Sequence, residues 1–187
     1  MNHVILKNRK LIRQGSILDF YEDEMQLPNG EIEHWDFVSH RKGAAAVVPV
    51  LEDGRLLLVK QFRPALERYT WELPAGSRDS ATEDTLKCAM RELYEETGYT
   101  GKSFTKLLSL KTTVAFCDEL VDVYLAQNVS MVDQQHLDPA EEISMRKWTM
   151  DELLDKIFRF EIQDAKTVAG IMAYHAYSET MKKKYEE

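Results

Sequence analysis

The stretch RELYEETGY, residues 91–99, places three carboxylates behind one guanidinium and then stops at a glycine. On a helix turning about 100° per residue, Glu92 and Glu96 lie one turn apart and about 40° apart around the axis. Two carboxylates so placed point at one spot and repel each other unless a cation sits between them. Oxygen-only ligation of this kind suits Mg2+ or Mn2+, which keep some waters and take the rest of their shell from phosphate oxygens. Glu95 falls farther round, at i,i+4 spacing from Arg91, where a salt bridge can form. The competing reading is a solvated acidic helix face, and spacing alone leaves both standing.

A helix over about residues 83–97 has to carry these groups. Ser80-x-x-Glu83 fits a capping box at its start, and Gly98 stands where a helix end wants a left-handed residue. Leu86, Ala89, Met90, Leu93 and Thr97 fall on one side and predict the core stripe, with Cys88 beside it as an inert thiol. The rest of the chain reads as a mixed α/β protein. Residues 1–40 read as short strands, with Pro28-Asn29-Gly30 turning SILDFYEDEMQL into EIEHWDFV as a β-hairpin. The apolar run AAAVVPVL predicts a buried strand, and Glu52-Asp53-Gly54 turns it into RLLLVKQF. After Pro64 an irregular stretch leads to WELPAG. Beyond the helix come strand-like KLLSLKTT and LVDVYLA, an acidic loop DQQHLDPAEE, and the strand ISMRKWT. Thr149-x-x-Glu152 is a capping box for a short helix, and a last helix runs from about Asp164 toward the lysines at 182–184.

The chain has 187 residues, enough for one domain with a sizeable core and a small appendage. A net charge of −8 argues against a phosphate-backbone surface for nucleic acid. An anionic ligand would therefore need a cation to mediate, and a divalent metal is the obvious one. No apolar run approaches the roughly 20 residues that span a bilayer, and the N-terminal residues lack an apolar leader core. Cys88 and Cys117 make neither a disulfide framework nor a metal spacing, so the cytoplasm is expected.

The stretch GSRDSATEDTLKCAMRELYEETGY resembles the Nudix box, G-x5-E-x7-R-E-U-x-E-E-x-G-U, where U is apolar. Gly76, Glu83, Arg91, Glu92, Leu93, Glu95, Glu96, Gly98 and Tyr99 occupy its positions, with six residues rather than five between Gly76 and Glu83. LLLVKQFRPALERYTWELPAG and FEIQDAKTVAGI resemble segments of the ADP-ribose pyrophosphatase branch, with Phe160 where glycine is usual. The resemblance covers nearly the whole chain. It implies a Nudix α/β/α sandwich with a mixed β-sheet over residues 43–187, and an N-terminal antiparallel β-hairpin appendage over residues 1–42 that joins two chains as a homodimer. The Pro-Gly that this branch tends to carry after the box is replaced by Val114-Ala115.

The resemblance also assigns roles. Glu92, Glu96, the main-chain carbonyl of Ala75 and Glu141 are implied metal ligands for Mg2+, or Mn2+, with Glu95 in the catalytic set. Arg63, after QF, is a diphosphate clamp, since a guanidinium matches phosphate oxygens bidentately. Glu72 of the ELPAG entry joins it in substrate binding, and Trp35 of the appendage stacks the adenine. Trp71 and Trp148 are expected to pack, and His136 to be a solvated loop residue. A general base is sought in the acidic loop, where Glu141 and Glu142 are the candidates and Asp138 stands behind them. The implied reaction is Mg-dependent hydrolysis of a nucleoside diphosphate sugar, ADP-ribose above all, to AMP and ribose 5-phosphate. Two alternatives stay open. One is a Nudix enzyme for another nucleoside diphosphate sugar, a dinucleotide or a modified nucleotide; the other is a non-catalytic nucleotide sensor.

Overall fold

The computed structural model describes residues 3–137 and 142–186, with side chains through 181. Three long strands, β1 (Ile5–Gln14), β2 (Leu18–Gln26) and β3 (Ile32–His40), make an antiparallel sheet of their own. The sequence suggested a hairpin of short strands. Strand β1 is exposed over nearly its whole length, and its pairing with β2 slips between Leu6 and Asn8 and again between Leu11 and Arg13. Each slip inverts the in-out alternation that marks a strand.

A second sheet of eight strands forms the body. It contains β4 (Ala44–Leu51), β5 (Leu56–Arg63), β6 (Arg68–Glu72), β7 (Ala75–Ser77), β8 (Tyr99–Thr100), β9 (Ser103–Lys111), β10 (Leu120–Met131) and β11 (Ile143–Trp148). Its central path runs β11-β5-β4-β10-β8, with β4 and β10 parallel and β5, β7 and β9 antiparallel to their neighbours. The stretch after Pro64 is more regular than expected. A 3-10 turn over Pro64–Leu66 and a left-handed Glu67 fold β6 back onto β5 in register Arg63↔Arg68 to Val59↔Glu72.

Strand β4 explains the layering. Its apolar residues do not alternate with polar ones because both of its faces are covered. Ala45, Val47 and Leu51 pack against Cys88, Ala89 and Leu93 of α1 (Thr85–Thr97). Ala46, Val48 and Val50 pack with Leu153 of α2 (Met150–Phe158) and Ile171 of α3 (Ala165–Glu186). Trp71 and Trp148 meet edge to face at 5.1 Å on that second side, as packing residues should. The result is an α/β/α sandwich with a mixed sheet.

The small sheet is tied to the body along β3. Val38 donates its N–H to Phe116 O (2.7 Å) and accepts from Asp118 N–H (3.3 Å). Asp118 in turn accepts from the Ser39 hydroxyl (2.9 Å) and the His40 N–H (2.8 Å).

The acidic helix departs from expectation at its start. Asp84, not Ser80, is the N-cap: its carboxylate accepts from the N–H groups of Leu86 (2.9 Å) and Lys87 (3.2 Å). Glu83, freed from capping, accepts from the Asp79 N–H and approaches Arg91 at 3.5 Å. The extra residue before the helix is thus absorbed in the loop. At the other end Gly98 takes φ 71, as a left-handed cap requires, and at α2 the Thr149/Glu152 capping box is complete. Asp84→Ala is expected to cost about 1 kcal/mol in denaturant unfolding, and Ser80→Ala almost nothing. Equal losses in the two variants would contradict this cap assignment.

Candidate active site

The buried arc of α1 comprises Cys88, Ala89, Glu92, Leu93, Glu96 and Thr97. It is rotated by about 80° from the apolar stripe that Leu86, Met90, Leu93 and Thr97 define. Met90 is therefore 44% exposed, while Glu92 and Glu96 are only 8% and 3% exposed. The rotation occurs because α1 packs on β7 as well as on β4. Glu96 Oε2 accepts the Ala75 N–H at 3.1 Å. The Glu92 carboxylate lies so close to the backbone of β7 that a Cβ on Gly76 would collide with it, so glycine there leaves the carboxylate its place and a larger residue would push it aside.

Arg91 serves more carboxylates than the sequence suggested. Its Nη1 reaches Glu92 Oε1 (2.7 Å) as well as Glu95 Oε2 (3.0 Å), and its Nη2 donates to Ser77 O (3.2 Å). These anions hold the guanidinium pKa well above its ordinary value against the opposing effect of burial. Cys88 is inert as expected: burial pushes its thiol up to about 12, with the Glu92 charge adding to the effect.

A cavity of about 380 Å³ opens here, lined by Glu92, Glu95, Glu96, Asp79, Arg91, Arg63, Gln61, His136, Ile17 and the Ala75–Ser77 backbone. Its lining carries two more carboxylates than guanidiniums, a surplus that suits a divalent cation. Among the described residues no three acidic, His or Cys side chains gather closely enough to chelate a metal alone. Two carboxylates with backbone carbonyl, water and phosphate oxygens still fit a hard cation such as Mg2+, which uses few protein ligands.

Arg63, at the turn end of β5, reaches along the hairpin to Glu72, near the other end of β6, and the two form a fork: Nε to Oε1 at 2.7 Å and Nη2 to Oε2 at 2.6 Å. Burial would raise the Glu72 pKa, but Arg63, Lys166 and the Thr70 hydroxyl overcome it and hold the carboxyl at about 2. Arg63 also lines two neighbouring cavities, one with Thr112, Thr113 and Glu119, the other with Tyr69, Trp71 and Gln163. The three cavities therefore share Arg63 at their junction.

Other expected site residues lie apart from the cavity. Trp35 is 43% exposed on β3 with its indole N–H on Glu33 (2.9 Å), and it lines none of these cavities within the chain. Glu142 is exposed and accepts the Tyr69 hydroxyl, which holds the Tyr69 pKa up. Glu141 and Asp138 lie outside the described residues. His136 is a solvent-exposed loop residue, as expected, and it also lines the cavity, stacks on Tyr94 at 5.0 Å and sits 3.1 Å from Asp133. A lone loop histidine gave no sequence signal for that place, and neither did Lys166.

An α/β/α sandwich that packs an acidic helix pair beside an arginine-lined cavity defines a protein built to meet a charged ligand. The NUDIX domain matches residues 39–170 of this chain. It is 38% identical to the ADP-ribose pyrophosphatase of Bacillus subtilis (strain 168), over 87% of this chain and 88% of that protein. It is 34% identical to the methanol dehydrogenase activator of Bacillus methanolicus, over 92% of each. Its fold matches a crystal structure of an ADP compounds hydrolase with TM-score 0.84 over 96% of both chains, at 18% identity. The chain belongs to the Nudix family, as a pyrophosphohydrolase. Nudix hydrolases generally use divalent metal ions.

The Glu72 pKa carries a stability prediction. A carboxyl held at about 2 rather than its usual 4.5 contributes stability in full above about pH 5 and loses it as pH falls toward 2. The contribution is on the order of 3 kcal/mol at neutral pH. Glu72→Gln is expected to flatten the acid limb of the stability–pH curve, read by urea midpoints between pH 3 and 7. An acid limb of unchanged slope would show that Glu72 carries no such linkage.

Proposed function

We propose that this protein hydrolyses the diphosphate bond of nucleoside diphosphate sugars, with ADP-ribose the leading substrate, giving AMP and ribose 5-phosphate. The observation that carries the reading is the buried Glu92/Glu96 pair, seated on the β7 backbone and facing the same cavity as Arg63. The identity to the B. subtilis ADP-ribose pyrophosphatase supports it.

In this reading Glu92, Glu96 and the Ala75 carbonyl hold Mg2+, or Mn2+, with Glu141 as a further ligand. A cation held there would supply charge neutralisation at the diphosphate and a lowered pKa for a water. Arg63 clamps the diphosphate with N–H groups not spent on Glu72, which orients it. Arg91 keeps Glu92 and Glu95 in place. A carboxylate of the acidic loop, Glu141 or Glu142, takes the proton of the attacking water. Attack at one phosphorus breaks its bond to the bridging oxygen, with no covalent enzyme intermediate.

The remaining assignments concern assembly. Residues 1–42 act as a dimerisation appendage and 43–187 as the hydrolase domain of a cytoplasmic homodimer. Leu6, Leu11, Ile12, Ile17, Leu18 and Ile32 are exposed apolar residues of the small sheet and its turn, and a second chain docked on one face would cover part of this apolar surface. In the dimer, Trp35 stacks the adenine. Val114, 81% exposed where the branch's Pro-Gly is usual, favours a second reading in which another nucleoside diphosphate sugar is the preferred substrate.

The deciding experiment is chromatographic detection of the nucleoside monophosphate formed from a panel of ADP-ribose, other nucleoside diphosphate sugars and dinucleotides, with and without Mg2+. Hydrolysis of ADP-ribose that needs the metal supports the proposal; no turnover of any member rejects it. Glu92→Gln and Glu96→Gln are each expected to lower kcat at least about 100-fold in a folded protein, and Glu141→Gln to lower kcat more than it changes KM. Normal turnover in either box variant would mean the metal pair is misassigned.

Removing residues 1–40 is expected to yield a monomer with a sharply raised KM, read by light scattering and steady-state kinetics. A truncated monomer with unchanged KM would exclude a substrate-binding role for the appendage.

A further inference from the structure

Glu72 holds two cations at once. Beyond the Arg63 fork, its Oε2 accepts from Lys166 Nζ at 2.5 Å. Lys166 also donates to Asp164 Oδ2 (2.9 Å), which accepts from the Thr167 N–H (3.0 Å) and hydroxyl (2.6 Å). The Thr167 oxygen accepts the Leu73 N–H at 2.9 Å. This closes a ring that bolts the start of α3 to the end of β6. Lys166 is mostly covered, with 16% of its side chain exposed, and it lines the two cavities that share Arg63 with the acidic one.

The ring sets a charge balance. Glu72 and Asp164 are two carboxylates, matched by Arg63 and Lys166. Without the ammonium, two buried or half-buried carboxylates would face one guanidinium beside a cavity that must receive an anion. Glu72 would also lose one of the groups that fix its plane. The fork uses only two of the five N–H groups of Arg63, so its value to a diphosphate depends on where Glu72 holds it.

We infer that Lys166 is a positioning residue for the hydrolysis: anchored by Asp164, it fixes and neutralises Glu72, and through Glu72 it sets the Arg63 guanidinium for the diphosphate. It acts without touching the substrate. What Arg63 clamps rests on the hydrolase reading above; the Lys166–Glu72–Arg63 linkage does not.

The test is a thermodynamic cycle on the full-length protein. Lys166→Gln is expected to raise KM for the cleaved substrate about tenfold with kcat within about threefold of wild type, and Lys166→Arg to restore most of it. In a Glu72→Gln background, which removes the carboxylate that links the two cations, adding Lys166→Gln is expected to change KM less than about twofold. The same full effect in both backgrounds would mean that Lys166 meets the substrate itself, and would overturn the inference, as would an unchanged KM in folded Lys166→Gln. Should Lys166→Gln alone fold poorly, Lys166→Met replaces it in both backgrounds with the same expected pattern, so the cycle still has all four corners.

A readout independent of turnover is the Arg63 side-chain Nε–H resonance of the ligand-free protein, assigned by its loss in Arg63→Lys. It is expected to shift and broaden in Lys166→Gln, and an unaltered signal overturns the linkage. Wild-type protein that cleaves nothing in the panel would sink the hydrolase reading and leave this readout to judge the linkage alone.

Discussion

Two carboxylates inside a protein are costly unless something compensates them, and Glu92 and Glu96 are both inside. Part of their compensation is built into the fold. The Ala75 N–H donates to Glu96 and the Arg91 guanidinium to Glu92, and both carboxylates line the cavity. That arrangement requires β7 to run directly beneath α1, a glycine at position 76, and a helix rotated toward its acidic side. Most of the molecule follows from holding that helix against that strand.

The sandwich supplies the rigidity. Strand β4 is covered on both faces, so the sheet cannot shift toward either helical layer without opening the other. The acidic pair is delivered from one layer by α1. The Arg63–Glu72 fork is braced from the opposite layer by α3, through Lys166 and Thr167. The two halves of the site therefore belong to opposite sides of one sheet, and β5, β6 and β7 bring them to a common cavity.

How much of this could be read from the sequence depended on distance along the chain. The Glu92/Glu96 pair, the Arg91–Glu95 bridge, the Gly98 cap and the Thr149 capping box are local, and each is legible from spacing. The buried β4 run was legible because burial on both faces leaves an unbroken apolar string. The position of Asp84 as the cap was less so, because serine and aspartate compete for that role within a few residues. Met90 was misplaced because helix periodicity finds an apolar stripe but does not reveal a second surface, β7, that also buries polar residues. The Lys166–Glu72 contact joins residues 94 apart, and no pattern in either segment announces it. The base in the acidic loop had no spacing rule to fix it, and the cavity's use of His136 depends on the return of a loop to the helix end.

Cys88 lies beneath the acidic pair, fully covered, with its Sγ 3.6 Å from Gly76 O, while Cys117 is partly exposed in the loop that meets β3. A thiol that ionises only near pH 12 is silent to alkylating reagents until α1 lifts from β7. The protein thus carries its own clock for that seam. Labelling of Cys88, compared with that of the partly exposed Cys117, gives the frequency with which the acidic helix breathes away from its strand.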